Sequence, residues 1–342
     1  MEQFINILIL ILIIVIIFYY LNKLVKKREH MAMYNSRLKK ALNKNGYDVD
    51  INKYIITKCK NNFCKKYVYK SKNFNDSKSH FLAKNKVMSN KIFLNNNIPV
   101  PNHWIIDNKN KEYYLNKFPL SFPCVLKPID GMQGKDVHTF IKNKSQFEEI
   151  LNKLLISKKY DKIMMENQVY GDNYRIFMFN NKIMDVIKRE QPFVIGNGKD
   201  NLEMLINKKN KEQKEKNLFA TTNLDWNYMK EQGYNKESIP EIDKKIFITN
   251  TINFHNGANP TRIKLSNIPQ KNKELFIKAH KLIGLECSGI DYMSNNIYIP
   301  YDKNEGHIIE INDMVDTKIH VDADNKNNPD FLFNNIIKSL NQ

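Results

Sequence analysis

Residues 123–137 read Pro123-Cys-Val-Leu-Lys127-Pro-Ile-Asp-Gly131-Met-Gln133-Gly134-Lys135-Asp-Val137. A strand-like run ends in Lys127, and a short loop follows that carries Gly131, Gln133, Gly134 and Lys135. Glycines let backbone N–H groups approach an anion closely, and lysines neutralise it, so phosphate is the ligand this loop suits. A plain glycine turn between two strands reads the same residues equally well. The spacing is not that of a Walker loop, because Gly134-Lys135 is followed by Asp136 and not by Ser or Thr. The residues that separate the two readings lie far downstream.

His307-Ile-Ile-Glu310-Ile-Asn312 alternates in the manner of a strand. Glu310 and Asn312 are two apart and therefore share a face. Asp291, in Ser288-Gly-Ile-Asp291-Tyr292, sits on the preceding predicted strand, and antiparallel pairing would bring it beside Glu310. Two carboxylates and an amide oxygen are hard donors suited to Mg²⁺, or Mn²⁺ in its place, held together with substrate phosphates. Such a set neutralises charge that develops on phosphoryl oxygens. The bland alternative is a strand whose solvent face carries acids.

The 342 residues fit roughly two domains, and the 42% hydrophobic content is enough for a real core. Net charge is +18, from 54 basic and 36 acidic residues. That field favours anionic partners such as nucleotides or acidic lipids. Lys, Asn and Ile are abundant throughout, so genome composition accounts for much of it. No basic run interleaved with stacking aromatics marks a nucleic-acid platform, and none is expected as a specific partner. Cys59 and Cys64 stand among lysines without a Cys/His pair to complete a zinc site, and read as chance or a surface redox pair.

From Gln3 to Asn22 there is no charge, and Phe4–Leu21 is almost wholly apolar. A helix of that length crosses a hydrocarbon layer of ~30 Å. Tyr19 and Tyr20 suit the interface, and Lys23, Lys26, Lys27 and Arg28 follow at once. The charge bias places that flank in the cytoplasm, with the N-terminus outside and the bulk of the chain inside. An uncleaved single-pass anchor is expected, because neither a basic stretch before the run nor a small-residue cleavage site after it is present.

The rest divides as an anchor with its basic flank over 1–28 and a juxtamembrane spacer, partly helical, over 29–78. A helical pattern over 79–97 opens a region 79–120, and 121–166 holds the glycine loop. Residues 167–342 contain a charged insertion at 208–245. Within these, Ser145-x-x-Glu148 is a capping box before a Phe147, Ile150, Leu151, Leu154, Leu155 stripe. A strand is expected at 162–166, and a hairpin over 174–179 and 182–189 turned by Asn180-Asn181. Further strands are expected at 246–254, 289–293 and 306–312, and helices at 270–283, stopped by Gly284, and at 329–340. The pattern is mixed α+β.

Several stretches together resemble the ATP-grasp superfamily. They are Asn85-Lys86 through Ile98-Pro-Val-Pro101, Lys127 through Val137, Gly171-Asp-Asn-Tyr-Arg175, and Lys188-Arg-Glu190. Val194-Ile-Gly-Asn-Gly198 with Leu205-Ile206, Gln232-Gly-Tyr234 and Ser238-Ile-Pro240 complete the set. Over about residues 80–325 the chain is similar to the ATP-grasp region of cyanophycin synthetases and of bifunctional glutathione synthetases. The resemblance implies an ATP-grasp fold, two α+β subdomains clasping ATP, here preceded by the transmembrane helix. It implies that Lys86 and Lys127 hold nucleotide phosphates and that Gly131, Gln133, Gly134 and Lys135 close over them. Glu166, with the backbone of Gln168 and Val169, would read adenine. Asn173, or Asp172 beside it, would meet the ribose. Asp291, Glu310 and Asn312 would hold Mg²⁺, and Arg175 and Arg189 would face the γ-phosphate and an acyl phosphate.

The reaction implied is ligation of an amino-acid or peptide carboxylate to an amine, with a non-catalytic ATP-binding module on a membrane as the alternative. The family's Pro-Gly after the final asparagine is replaced by Asp313-Met-Val-Asp316, and its Gly-Gly-Thr by Gly257-Ala-Asn259. The second half of cyanophycin synthetases has no counterpart in these residues, so alternating polymer synthesis by this chain alone is not expected. The reading admits a homo-oligomer.

Overall fold

The structure is a computed structural model that describes residues 40, 42–50, 55–60, 63–68, 75–131, 135–156, 160–215, 225–249, 258–313, 315, 319–320, 323 and 331–341. The chain divides into two compact units, Met1–Tyr69 and Lys70–Gln342. The expected membrane helix lies outside the described residues. Among the described residues, no helix is long and apolar enough to cross a membrane.

The first unit holds a three-stranded antiparallel sheet of β1 (Tyr47–Asp50), β2 (Ile55–Lys60) and β3 (Phe63–Val68). The spacer expected here, partly helical, is therefore corrected to strands in its middle. Ile55, Ile56, Thr57, Tyr67 and Val68 are the β-branched and aromatic residues that favour a pleated surface, and interspersed lysines hide their pattern. Cys59 faces Cys64 across the β2–β3 ladder, and Cys59 is disulfide-bonded. The C-x4-C spacing is thus that of a hairpin pair.

The second unit contains two larger sheets. The four-stranded one runs β4 (His103–Ile106), β7 (Ile163–Asn167), β5 (Cys124–Pro128) and β6 (His138–Ile141), all antiparallel. A short helix, α3 (Lys111–Asn116), follows β4, and helix α4 (Lys144–Ile156) covers one face, where Phe147, Leu151, Leu154 and Leu155 meet Cys124, Leu126, Ile141, Ile163 and Met165. The apolar stripe read from the sequence is this contact. Its cap differs: Asn143, not Ser145, accepts the first-turn N–H, from Gln146 at 3.0 Å. Asn is as strong a cap as Ser, and two positions earlier it leaves Ser145 inside the helix. Burying the stripe is worth about 1.5–3 kcal/mol per large side chain.

The five-stranded sheet has the order β12 (Asn259–Arg262), β9 (Lys182–Glu190), β8 (Asp172–Phe179), β13 (Cys287–Ser294) and β14 (His307–Asn312). The β8–β9 hairpin turns at Asn180 and Asn181, whose φ values are 50° and 57°. Two successive positive φ angles make the turn that matches strand twist, and asparagine tolerates them. One face of this sheet packs Tyr174, Ile176, Met178, Val186, Ile290, Tyr292 and Ile308 against three helices. These are α1 (Ser77–Lys84), α2 (Lys86–Asn95) and α7 (Gln270–Ile283). Helix α7 ends at Gly284 with φ 78°, as the sequence predicts.

The pattern over 79–97 is two helices. Asn85 leaves helical geometry at φ −94°, ψ 94°, and its side chain caps α2 through the Met88 N–H. Lys86 is therefore the first residue of a helix.

Strands β10 (Phe193–Ile195) and β11 (Lys245–Phe247) pair and pack with α5 (Leu202–Glu215) and α6 (Trp226–Glu231). Val194, Leu202, Leu205, Ile206, Met229, Ile246 and Ile248 form a small core there. Of these residues only Met229 belongs to the charged insertion 208–245, so the core is built mainly by the segments on either side of it. The strand expected over 246–254 is limited to β11 among the described residues. Helix α8 (Phe331–Asn341) buries Leu332, Ile336, Ile337 and Leu340.

Candidate functional site

The face of the five-stranded sheet turned away from the helices carries most of the expected chemistry. Strand register places Arg262, Ile187, Arg175, Asp291 and Glu310 in one row across all five strands. The neighbouring row is Asp185, Phe177, Gly289 and Asn312. On the other side lie Pro260, Arg189 and Asn173. Residues directly opposite each other share a face, so the arginines and the proposed metal donors converge although they come from separate strands.

Asp291 is the hub. Its Oδ1 accepts from Arg175 Nη1 at 2.7 Å and lies 3.0 Å from Arg189 Nη2. Burial alone would raise its pKa, but Arg189 and Arg175 together hold it below the ordinary carboxylate value. Arg189 also donates through Nε to Asn173 Oδ1 at 2.7 Å. Gly289 makes this possible, because a Cβ there would stand 2.4 Å from Arg175 Cζ. The guanidinium crosses the strand where only a glycine leaves room. That requirement was not read from the sequence, although Gly289 stands two residues before Asp291.

On the four-stranded sheet, Lys127 and Glu166 meet on the face opposite α4. Lys127 Nζ lies 2.7 Å from Glu166 Oε2, and both residues are buried. Glu166 Oε1 is buried and has no hydrogen-bond partner among the described residues. An unpaired buried acceptor costs about 1–3 kcal/mol, and an amino group of a bound base would satisfy it. Gln168 is occupied by its surroundings: Oε1 accepts from the Phe140 N–H at 2.9 Å, and Nε2 donates to the Val169 carbonyl at 2.8 Å. The side chain thereby props the connection between the two sheets.

Lys86 reaches both halves. Its Nζ donates to the Gly131 carbonyl at 2.8 Å and lies 3.2 Å from Glu310 Oε1. Lys135 is exposed, while Gln133 and Gly134 lie outside the described residues. Asp172 pairs with Lys188 at 2.7 Å. Strand alternation puts it on the other face from Asn173, so of the two ribose candidates only Asn173 shares the arginine face.

Among the described residues no group of three His, Cys, Asp or Glu could hold a metal. The donor set here is instead two carboxylates and the Asn312 amide, on one face. Three cations, Lys86, Arg175 and Arg189, surround the two carboxylates. The surplus positive charge suits a divalent ion that arrives with a polyphosphate, so that carboxylates turn to the ion and cations to the phosphates. The residues present therefore fit magnesium and a nucleotide together.

A second cluster on the same face was missed. Asp185, buried in the otherwise apolar run Ile183–Ile187, accepts from Arg262 Nε at 3.1 Å and Nη2 at 3.2 Å, and meets His320 Nδ1 at 3.0 Å. An acid inside an apolar strand was the available signal.

Residues 83–213 match the family model described as the RimK-like ATP-grasp domain. The cyanophycin synthetase of Geminocystis herdmanii is 25% identical over 237 residues, 66% of this chain and 26% of that protein. The bifunctional glutathione biosynthesis protein of Clostridium perfringens is 25% identical over 241 residues, 68% of this chain and 30% of that protein. The chain thus spans less than a third of the length of these relatives. The crystal structure of a bifunctional glutathione synthetase from Pasteurella multocida superposes with a TM-score of 0.54 at 19% identity, covering 84% of this chain and 42% of that one. The likeness to ATP-grasp proteins read from the sequence holds, and the second unit has the ATP-grasp α+β fold.

Proposed function

We propose that this protein is an ATP-dependent ligase that joins the carboxylate of an amino acid or peptide to an amine through an acyl phosphate. The observation that carries the reading is the five-strand row that gathers Arg175, Asp291 and Glu310, with Arg189 and Asn312 beside it. A binding module has no need of one buried and one partly buried arginine trained on the same proposed metal carboxylate. Lys127 and Lys86 would hold phosphates, and Glu166 with the 168–169 backbone would hold the base. Asp291, Glu310 and Asn312 would hold Mg²⁺, which when bound supplies charge neutralisation at the phosphoryl oxygens.

The chain's own work is alignment and electrostatics. Arg175 and Arg189 present planar forks to the transferring phosphoryl group and to the carboxylate that receives it. The carboxylate oxygen bonds to the γ-phosphorus as the bond to ADP breaks. The amine then displaces phosphate from the acyl carbon.

The test is ATP turnover by the purified full chain in detergent, with pooled amino acids and dipeptides and hydroxylamine as a trap. Carboxylate-dependent hydroxamate is expected, reduced by roughly 10²–10³-fold in Glu310→Gln. ATP binding without carboxylate-dependent turnover across a broad panel sinks the proposal.

The reading extends to membrane attachment through residues 1–28, supported by the uncharged run to Asn22 and the cluster of Lys23, Lys26, Lys27 and Arg28. The full chain is expected to stay with membranes through alkaline carbonate extraction and to leave them only with detergent. Release by carbonate alone would remove the anchor from the proposal.

A further inference from the structure

Helix α5 and strand β10 line a cavity of about 600 Å³, with Phe193, Ile195, Leu205 and Ile242 as its apolar wall. That volume is within the range of small-molecule sites. Ile195 and Ile242 are 44% and 71% exposed, so the wall offers apolar surface to a ligand.

Lys209 supplies a charge to the same cavity. Its Nζ donates to the Phe193 carbonyl at 2.5 Å and to Asn259 Oδ1 at 3.3 Å, and all three residues line the cavity. An ammonium has three donors, so one is left without a partner among the described residues. The charge is unmatched as well. Glu190, opposite Asn259 in the β9–β12 register, is bound to Lys245 at 2.5 Å. Lys245 Nζ itself sits 3.8 Å from the centre of the Phe193 ring, and Lys209 Nζ sits 4.9 Å from it. Lys208 and Glu212 on α5 and Asp243 before β11 also line the cavity, and among the described residues none of them forms an ion pair with Lys209. Burial, first, and Lys245 lower the Lys209 pKa to about 8, against Glu190 and Glu212. A tether between α5, β10 and β12 accounts for two of the donors. It does not account for the charge, which is costly to desolvate without a counter-ion.

Strand alternation turns Asn259 and Glu190 to the opposite face from Arg189, so this cation stands apart from the group around Asp291. We propose that the cavity is a separate binding site for an aliphatic carboxylate of the kind a branched-chain amino acid presents. The carboxylate takes the third donor of Lys209 and supplies its counter-charge. The hydrocarbon lies on Ile195, Leu205 and Ile242, and an α-ammonium is met by the exposed acids Glu212 and Asp243. The inference does not rest on the ligase reading and is tested without ATP.

The test is calorimetric titration of the full chain in detergent with leucine, 4-methylpentanoate and 3-methylbutylamine. Saturable binding is expected for the two carboxylates and none for the amine. Lys209→Met is expected to weaken both carboxylates by about 10–100-fold, the worth of a charge-assisted hydrogen bond. That variant also drops the two tethering bonds, so Ile242→Glu is the second arm. The side chain at 242 is exposed enough for the fold to accept an acid, which repels the ligand, and binding is expected to be lost. A bound carboxylate raises the Lys209 pKa again. Affinity for 4-methylpentanoate is therefore full below pH ~8 and falls by up to about tenfold per pH unit above it.

No saturable binding of either carboxylate overturns the proposal, and so does equal binding of the amine. Binding that both variants leave unchanged lies elsewhere on the protein and overturns it too, as does a flat profile through pH 8. ATP turnover decides the ligase reading separately.

Discussion

Lys127→Met is expected to abolish detectable ATP binding and to destabilise the second unit by about 3–5 kcal/mol. Both effects come from one contact. Lys127 and Glu166 are 6% and 3% exposed, with their charged atoms 2.7 Å apart. Removing the ammonium leaves a carboxylate buried without its counter-charge, and one of its oxygens already lacks a partner. The nucleotide loses a cation in the same change. Lys127→Met with Glu166→Gln separates the two consequences, because the second substitution removes the stranded charge. The double variant should regain most of the lost stability and none of the ATP affinity. Thermal unfolding with and without a non-hydrolysable ATP analogue measures both. A single variant that binds the analogue as wild type does would remove Lys127 from the phosphate site.

Asp291→Asn is expected to lower turnover by roughly 10³-fold and to cost several kcal/mol of stability. Asp291 is the counter-ion of two arginines of the site, and the amide leaves Arg175 and Arg189 close together with neither balanced. It also removes one of the two carboxylates available to a divalent ion, so more Mg²⁺ should not restore the rate. The pH dependence has a definite sign. The folded-state pKa of Asp291 lies below its ordinary value of 3.8, so its stabilisation is complete above that value. It is lost as pH falls through the lower folded value. Wild type and variant should therefore differ most above pH ~4 and converge in stronger acid, as acid-unfolding curves would show. Parallel curves over the whole range would mean that Asp291 is not the charge that holds the two guanidiniums.

The parts of this architecture that could be read in the sequence are those set by local period. Glu310 and Asn312 share a face because strands alternate, and Asp291 falls opposite Glu310 as antiparallel pairing requires. Helix α7 and its Gly284 stop, and the Asn180-Asn181 turn, follow from local preference too. What escaped depends on register between distant strands. Arg262 joins the row of Arg175 only through β9, and His320 reaches Asp185 across 135 positions of chain. The need for glycine at 289 is set by a side chain from another strand. Composition hid other features. Lysines masked β1–β3, and the strong cap at Asn85 broke one apparent helix into two. The cap at Asn143 lost to a better-known pattern, although the helix it starts was legible.

Lys86 holds the Gly131 carbonyl and the Glu310 carboxylate with one ammonium. One group cannot serve two partners and a phosphate in full. At the proposed site, a nucleotide that drew Lys86 toward its phosphates would loosen its hold on Gly131 and bare Glu310, a proposed metal donor, in the same movement. Ion and nucleotide would then cease to be independent ligands. Each would raise the affinity of the other by an equal factor, since the free energy of letting go of Lys86 would be common to both. The site would fill as a pair or stay closed, and the cellular supply of either ligand would govern occupancy by both.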